Sequence, residues 1–306
     1  MIRELCVCIP ARNEAERIGA LLAALASQDI NEPFHVALCV NNSDDGTAQI
    51  AAAAAAAGVP FTLHLHECHF DAEEAHAGSA RRAAMDLGAE VLGRDDALLI
   101  STDADCRPPS DWLAANIASC EQDAIVGGRI MLDEEEADRS PALRDLHRRF
   151  DAYWEQVRAI EDSVDPVPWE APHRHGDHTG ASLALSVGLY RRAGGVPLIP
   201  VGEDRALVAA VIAQGGRLIH PRNVWVRVSP RLAGRAPGGM AHTLAQWMDG
   251  LSKGETPYVP AYSHWEQRGR WRKALRDERG HAALISAEQQ LPAMPCDMLL
   301  PRADPA

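Results

Sequence analysis

Residues 96–112 read DALLISTDADCRPPSDW, an apolar run that leads straight into two carboxylates, Asp103 and Asp105, one residue apart. A short, bounded apolar run of this kind fits a strand buried on both faces. The same unit recurs upstream. Residues 5–10 (LCVCIP) and 35–41 (HVALCVN) are further short buried-strand runs, 61–66 (FTLHLH) looks like another strand, and Pro, Asn-Asn or Asp tends to follow where such a run ends. Helical patterning separates them: residues 14–27, with Ile18, Leu21, Leu22 and Leu25 on one face, then an Ala-rich stretch after SDDGT at 43–47 that Gly58 closes, then residues 77–92. This βαβαβαβ order predicts an α/β chain with a Rossmann-like, mostly parallel, doubly wound sheet, right-handed crossovers and helices on both faces. Ligands of open sheets bind beyond the carboxyl ends of the strands, which is where the polar residues stand.

Outward from that core the pattern changes. Residues 133–178 begin charged and amphipathic and end irregular (VDPVPWEAPHRHGDH), which reads as an insertion over the sheet edge. Regular structure resumes with ASLALSVGLYRRAGG, a helix over 203–214 and a strand within 217–228; the last sixty residues are rich in Trp, Gly and Arg and less easily organised. The expected division is a domain over 1–240, containing the 133–178 insertion, and an extension over 241–306 packed on the same domain.

Composition narrows the partners. The 306 residues are 46% hydrophobic and 24% charged, ordinary for a globular chain, with a net charge of −13. That charge argues against nucleic acid or an anionic membrane as the main partner. No segment reaches the ~18 apolar residues of a membrane helix, and the N-terminus has neither a leader nor an anchor pattern. Seven scattered cysteines without a CxxC pair suit reduced thiols, so the expectation is a cytoplasmic chain, at most peripheral at the inner membrane face.

The Asp103-Ala104-Asp105 triplet offers paired oxygen ligands at a strand end. Hard cations such as Mg²⁺ or Mn²⁺ take such ligands and keep positions open for phosphate oxygens. The plainer reading is that Asp105 caps a helix starting near Pro108 or Ser110. Two histidine groups, His64, His66 and Cys68 on one strand and His173, His175 and His178 in the insertion, lack the spacing of a zinc site.

Taken in order, IPARNEAERI, NNSDDGT, AGSARRAAMDLG, STDADCRPPSDWL and VGEDRAL resemble the family 2 glycosyltransferases of GT-A fold over roughly residues 5–240. The resemblance implies transfer of a sugar from a nucleotide diphosphate (a UDP-, GDP- or dTDP-sugar) to an acceptor hydroxyl, dependent on Mg²⁺ or Mn²⁺ and inverting. Pro10, Ala11, Arg12, Asn13 and Glu14 then face the nucleotide, although Asn13 and Glu14 also suit a helix start. Where the family usually has a base-contacting Asp, this chain has Val40, which leaves Asn41 to replace it, while Asp45 caps the next helix. Arg81 or Arg82 reaches the pyrophosphate. Asp103 and Asp105 hold the metal. Asp204 is the general base for the acceptor hydroxyl, with Glu203 as its orienting neighbour; both also suit a first helical turn. His178, Thr179 and Gly180 line the acceptor and sugar side, joined by Trp154 and Trp169 as stacking faces or core residues. Arg231 and Arg235 close over the diphosphate. The competing readings are a nucleotidyltransferase of similar fold, whose Gly-rich basic loop PARNEAERIG lacks, and a non-catalytic sugar-nucleotide binding protein, which would be expected to have lost Asp105 or Asp204.

Overall fold

The computed structural model describes residues 4–133, 141–171, 173–231, 240–288 and 290–302. Through the first part of the chain the elements are β1 (Leu5–Ala11), α1 (Ile18–Ala26), β2 (Phe34–Asn41), α2 (Thr47–Ala56), β3 (Phe61–Cys68), α3 (Ala77–Leu92), β4 (Leu98–Ser101), β5 (Cys106–Arg107), α4 (Trp112–Ser119), β6 (Ala124–Gly127) and β7 (Arg129–Leu132). Then follow α5 (Pro141–Val164), β8 (Leu183–Ser186), α6 (Val187–Arg192), α7 (Glu203–Ala213), β9 (Arg217–Ile219), β10 (Trp225–Val228), α8 (Met240–Ser252), β11 (Tyr258–Val259), α9 (Tyr262–Arg279), α10 (His281–Glu288) and β12 (Met298–Leu299).

The main sheet runs β3-β2-β1-β4-β8-β6-β9. Its first four strands are parallel, and β8 enters antiparallel between β4 and β6. Both faces are buried, and β1 shows why its sequence is apolar throughout. Leu5, Val7 and Ile9 pack on the α1, α2 and α4 side, whereas Cys6 and Cys8 lie under α3, α6 and α7. The small thiols meet Gly88 of α3: a Cβ there would stand 2.7 Å from Cys8 Sγ, so only glycine lets the helix come this near. A second sheet, β5-β10-β7, lies beside the acidic turn and pairs β10 antiparallel with β5.

The C-terminal elements pack on α5. Phe150 stacks on Trp247 of α8 at 4.1 Å, and Tyr153 lies 5.5 Å from Tyr262 of α9. Trp265 Nε1 donates to Tyr153 Oη at 2.7 Å, and that hydroxyl donates to Pro260 O at 2.8 Å. Arg272 and Arg276 of α9 pair with Glu161 and Asp165. Among the described residues no helix is long and apolar enough to cross a membrane.

Two expectations are corrected. The first helix begins at Ile18 rather than Glu14, because the N–H groups of residues 13–15 are engaged by side chains of the next loop. The strand expected within 217–228 is two strands, one in each sheet: β9 ends at Ile219, and residues 220–224 turn the chain across to β10.

Candidate active site

The loops after β1 and β2 are stitched together. Asn13 and Asn42 adopt left-handed backbones (φ 52 and 45), which asparagine tolerates better than most residues. The N–H groups of Asn13, Glu14 and Ala15 donate to Ser43 Oγ, Thr47 Oγ1 and Asp45 Oδ2 at 2.9, 2.8 and 2.9 Å. Asn13 Oδ1 accepts from Asp44 N at 3.0 Å. Asp45 also accepts from Thr47 N, so one carboxylate bridges the loops at the start of α2, although the N-cap position itself falls on Gly46. Burial works against its charge, but these hydrogen bonds prevail and hold its carboxyl below the usual range. Pro10 and Ala11 end the strand run, Arg12 is exposed and donates to Ala75 O, and Asn41 is buried beside buried Val40.

The acidic turn follows β4 directly. Cys106 N donates to Asp103 O at 3.1 Å, closing a tight turn that presents Asp103 and Asp105. Helix α4 does not start until Trp112, so the capping role for Asp105 is excluded.

Arg81 is the hub. It is only 4% exposed, and its guanidinium donates to Asp103 Oδ1 (2.8 Å), Glu203 Oε1 (3.1 Å), Ser101 Oγ (2.7 Å) and Gly180 O (2.9 Å). A Cβ on Gly180 would lie 2.2 Å from Arg81 Cζ, so the group needs glycine beneath it. Burial by itself would lower the arginine's pKa, but Asp103 and Glu203 raise it above its ordinary value. The expectation that Arg81 reaches out to a pyrophosphate meets a different geometry: its cation is spent on protein groups. Arg82 pairs with Asp86 and donates to Gly194 O and Val196 O.

Arg231 supplies a second cation. Nη1 contacts Glu14 Oε1 and Oε2 at 2.9 and 3.1 Å, and Nη2 lies 2.8 Å from Asp105 Oδ2. Burial pushes the Asp105 carboxyl up to about 6; Arg231 opposes the shift, and Asp103 and Glu14 add to it. Arg235 lies outside the described residues.

Glu203 and Asp204 open α7 behind Gly202. Asp204 Oδ2 accepts from Gly180 N at 2.9 Å and Oδ1 from Arg205 N at 2.7 Å. The two backbone donors fix the carboxylate's orientation. Thr179 O accepts from Ser182 N. His178 Nδ1 donates to Gly176 O at 2.8 Å, and its ring lies 6.0 Å from that of His220. Burial, with His220 adding, lowers the pKa of His178, and takes that of His175 down to about 4.

The two tryptophans part company. Trp154, 40% exposed, lies edge-on to Tyr153 and Trp265 with Arg158 over its ring. Trp169 is tied to the edge strand through Leu218 O at 3.0 Å.

Among the described residues one group brings three ligating atoms within 4.8 Å of one another: Asp103, Asp105 and Cys106. The two carboxylates suit Mg²⁺ or Mn²⁺. The thiol does not: it is soft and buried, and burial, reinforced by both aspartates, raises its pKa well above the ordinary value. The donor set therefore fits a hard cation on the aspartates. His64 instead bonds His35 at 3.0 Å, and Cys68 Sγ contacts Cys39 Sγ.

Sequence reasoning did not single out Ser101, Glu170 or His220. Ser101 was visible as a lone polar residue at the end of an apolar strand. Glu170 and His220, a buried pair fifty residues apart, carried no local signal.

The model of the glycosyl transferase family 2 matches residues 6–182, more than half of the chain. No curated protein matches the sequence. Among solved structures, the mannosyltransferase PcManGT from Pyrobaculum calidifontis, in complex with GDP-Man and Mn²⁺, aligns with 94% of this chain and 79% of its own at TM-score 0.54 and 19% identity. TarS 1–349 from S. aureus aligns with 90% of this chain and 73% of its own at TM-score 0.50 and 13% identity. At those identities the likeness is one of fold, and the fold is the GT-A arrangement of a large, mostly parallel sheet flanked by helices. With the family match over the strands, the stitched loops and the acidic turn, the chain belongs to glycosyl transferase family 2 and is a glycosyltransferase.

Proposed function

We propose that this glycosyltransferase moves a sugar from a nucleotide-diphosphate donor to an acceptor hydroxyl with inversion, using Mg²⁺ or Mn²⁺ on Asp103 and Asp105. The observation that carries this reading is the span of Arg81, which holds Asp103 and Glu203 on one guanidinium. The metal-binding turn and the turn bearing the base are thereby locked in one rigid unit, as in-line displacement requires. The bound cation would neutralise the departing diphosphate. The stitched loops at residues 10–14 and 41–47 cradle the nucleoside, with Asn13 and Asp45 setting their shape. Asp204 accepts the acceptor's proton as the hydroxyl attacks the anomeric carbon. Its orientation is already set by Gly180 N–H, so little reorganisation is needed at the moment of reaction.

His178, beside Gly180, and Trp154, with an exposed face, frame the acceptor side. PcManGT binds GDP-Man and Mn²⁺ on the same fold, which makes a GDP-sugar the first donor to try, ahead of UDP- and dTDP-sugars. We take residues 1–240 as the catalytic domain and 241–306 as an extension packed on it through α5, in a cytoplasmic protein, in keeping with seven free cysteines. The test is calorimetric titration of GDP, UDP and dTDP with and without Mn²⁺, repeated with Asp105→Ala. Nucleotide binding that needs no metal and ignores that substitution rejects the site.

A further inference from the structure

Asp103 and Asp105 are neutralised by different cations with different freedom. Arg81 belongs to α3 and makes four hydrogen bonds from a buried position. Arg231 stands three residues beyond the end of β10, on no helix or strand, and its guanidinium contacts the carboxylates of Glu14 and Asp105. It comes from 217 residues along the chain to reach Glu14.

A divalent ion shared by Asp103 and Asp105 must draw on the same Asp105 carboxylate that Arg231 Nη2 contacts at 2.8 Å. A guanidinium and a divalent cation on one small carboxylate would stand within about 4–5 Å of each other. At that separation, in a partly buried site, each cation weakens the other's hold on the shared carboxylate. Occupation by either one therefore disfavours the other. Asp103 is likewise contacted at one oxygen, Oδ1, but its partner Arg81 is pinned by three further hydrogen bonds and is not the cation that can move.

Resting on the metal-site reading above, we propose that Arg231 is the resident counter-cation of the Glu14–Asp105 pair before donor binds. The divalent metal and the Arg231 guanidinium occupy Asp105 alternately. Metal entering alone must displace a cation that then has nowhere better to go. Metal entering with a nucleoside diphosphate brings phosphate oxygens that the freed guanidinium can bind in bidentate fashion. Metal and diphosphate thus bind cooperatively through an exchange of cations at Asp105, and the exchange places Arg231 on the diphosphate only when both are present.

The test is Mn²⁺ titration of the full chain without nucleotide, with free Mn²⁺ read by electron paramagnetic resonance. Arg231→Gln is expected to bind Mn²⁺ about tenfold tighter than the wild type, an ordinary size for one coupled site. Adding GDP should then tighten Mn²⁺ less in that variant than in the wild type. Asp105→Asn should lose Mn²⁺ in either case. If Arg231→Gln binds Mn²⁺ no better than wild type while Asp105→Asn loses it, the metal site stands and the exchange is overturned. If Asp105→Asn binds like wild type, the metal site itself fails and the exchange with it. Should Arg231→Gln not fold, Arg231→Lys decides the matter. Its ammonium keeps the charge but lacks the planar fork that meets Glu14 and Asp105 at once, so a smaller tightening is expected, and wild-type affinity overturns the proposal.

Discussion

The parallel half of the sheet and the helical half built on α5 hold themselves together by different means. In the first, strands β1, β2 and β4 are buried on both faces, and the groups beyond their carboxyl ends are joined by hydrogen bonds across 20 to 122 residues of sequence. In the second, α5, α8 and α9 meet mainly through stacked rings, with Arg272 and Arg276 reaching the buried carboxylates of Glu161 and Asp165. A network of charged and backbone groups has one satisfied arrangement, and removing a member leaves a buried charge unpaired. Aromatic packing tolerates change more gradually. The residues proposed for the chemistry therefore stand in the half held by that network.

Four measurements press on that contrast. The largest effect is expected at Asp204. Asp204→Asn keeps an oxygen to accept from Gly180 N–H, so donor binding by calorimetry should persist while sugar transfer falls by about 10²–10⁴; undiminished turnover removes Asp204 as the base. Next comes Arg81→Met, which strands Asp103 and Glu203 and should cost about 3–5 kcal/mol in urea unfolding. A loss below 1 kcal/mol would mean that the network relaxes as freely as the aromatic stack.

The boundary between the halves is probed by pH. His175 is held near pKa 4 in the fold against an ordinary 6.5, by burial first and His220 second. The unfolded chain then takes up the proton first. The stability this gives is present above pH 6.5 and is lost as pH falls from 6.5 towards 4. His175→Gln should remove on the order of 1–2 kcal/mol of the acid-induced loss between pH 6.5 and 5, read as stability against pH for both proteins; parallel curves would contradict the assignment. Smallest is Tyr153→Phe in the helical half, which deletes the hydroxyl between Trp265 and Pro260 at about 1 kcal/mol. Nucleotide affinity should not move, and a shift in it would show that the halves are coupled.

How much of this could be read in advance follows the range of the forces. The strands at 5–11, 34–41 and 98–101 were legible because double burial demands unbroken apolar runs, and the half-exposed edge strand at 61–68 by its place in the alternation. The acidic turn was legible because a polar pair at the end of such a run has few other uses. The start of α1 was not: the chain from Asn13 to Arg17 has helical composition, yet Ser43, Thr47 and Asp45 take its first N–H groups. The direction of Arg81 was not legible either. Adjacent arginines on a helix look alike in sequence, and only the convergence of Ser101, Gly180, Asp103 and Glu203 turns this one inward.

What the sequence determined by itself was the alternation of strands and helices, the carboxylates at the sheet edge and the family, since each rests on local patterning or on motifs in order. The tertiary structure alone decided which cation serves which carboxylate. Arg81 and Asp103 are 22 residues apart, and Arg231 and Glu14 are 217 residues apart. Electrostatic pairing depends on distance in space and on exclusion of water, and neither is written in the order of residues.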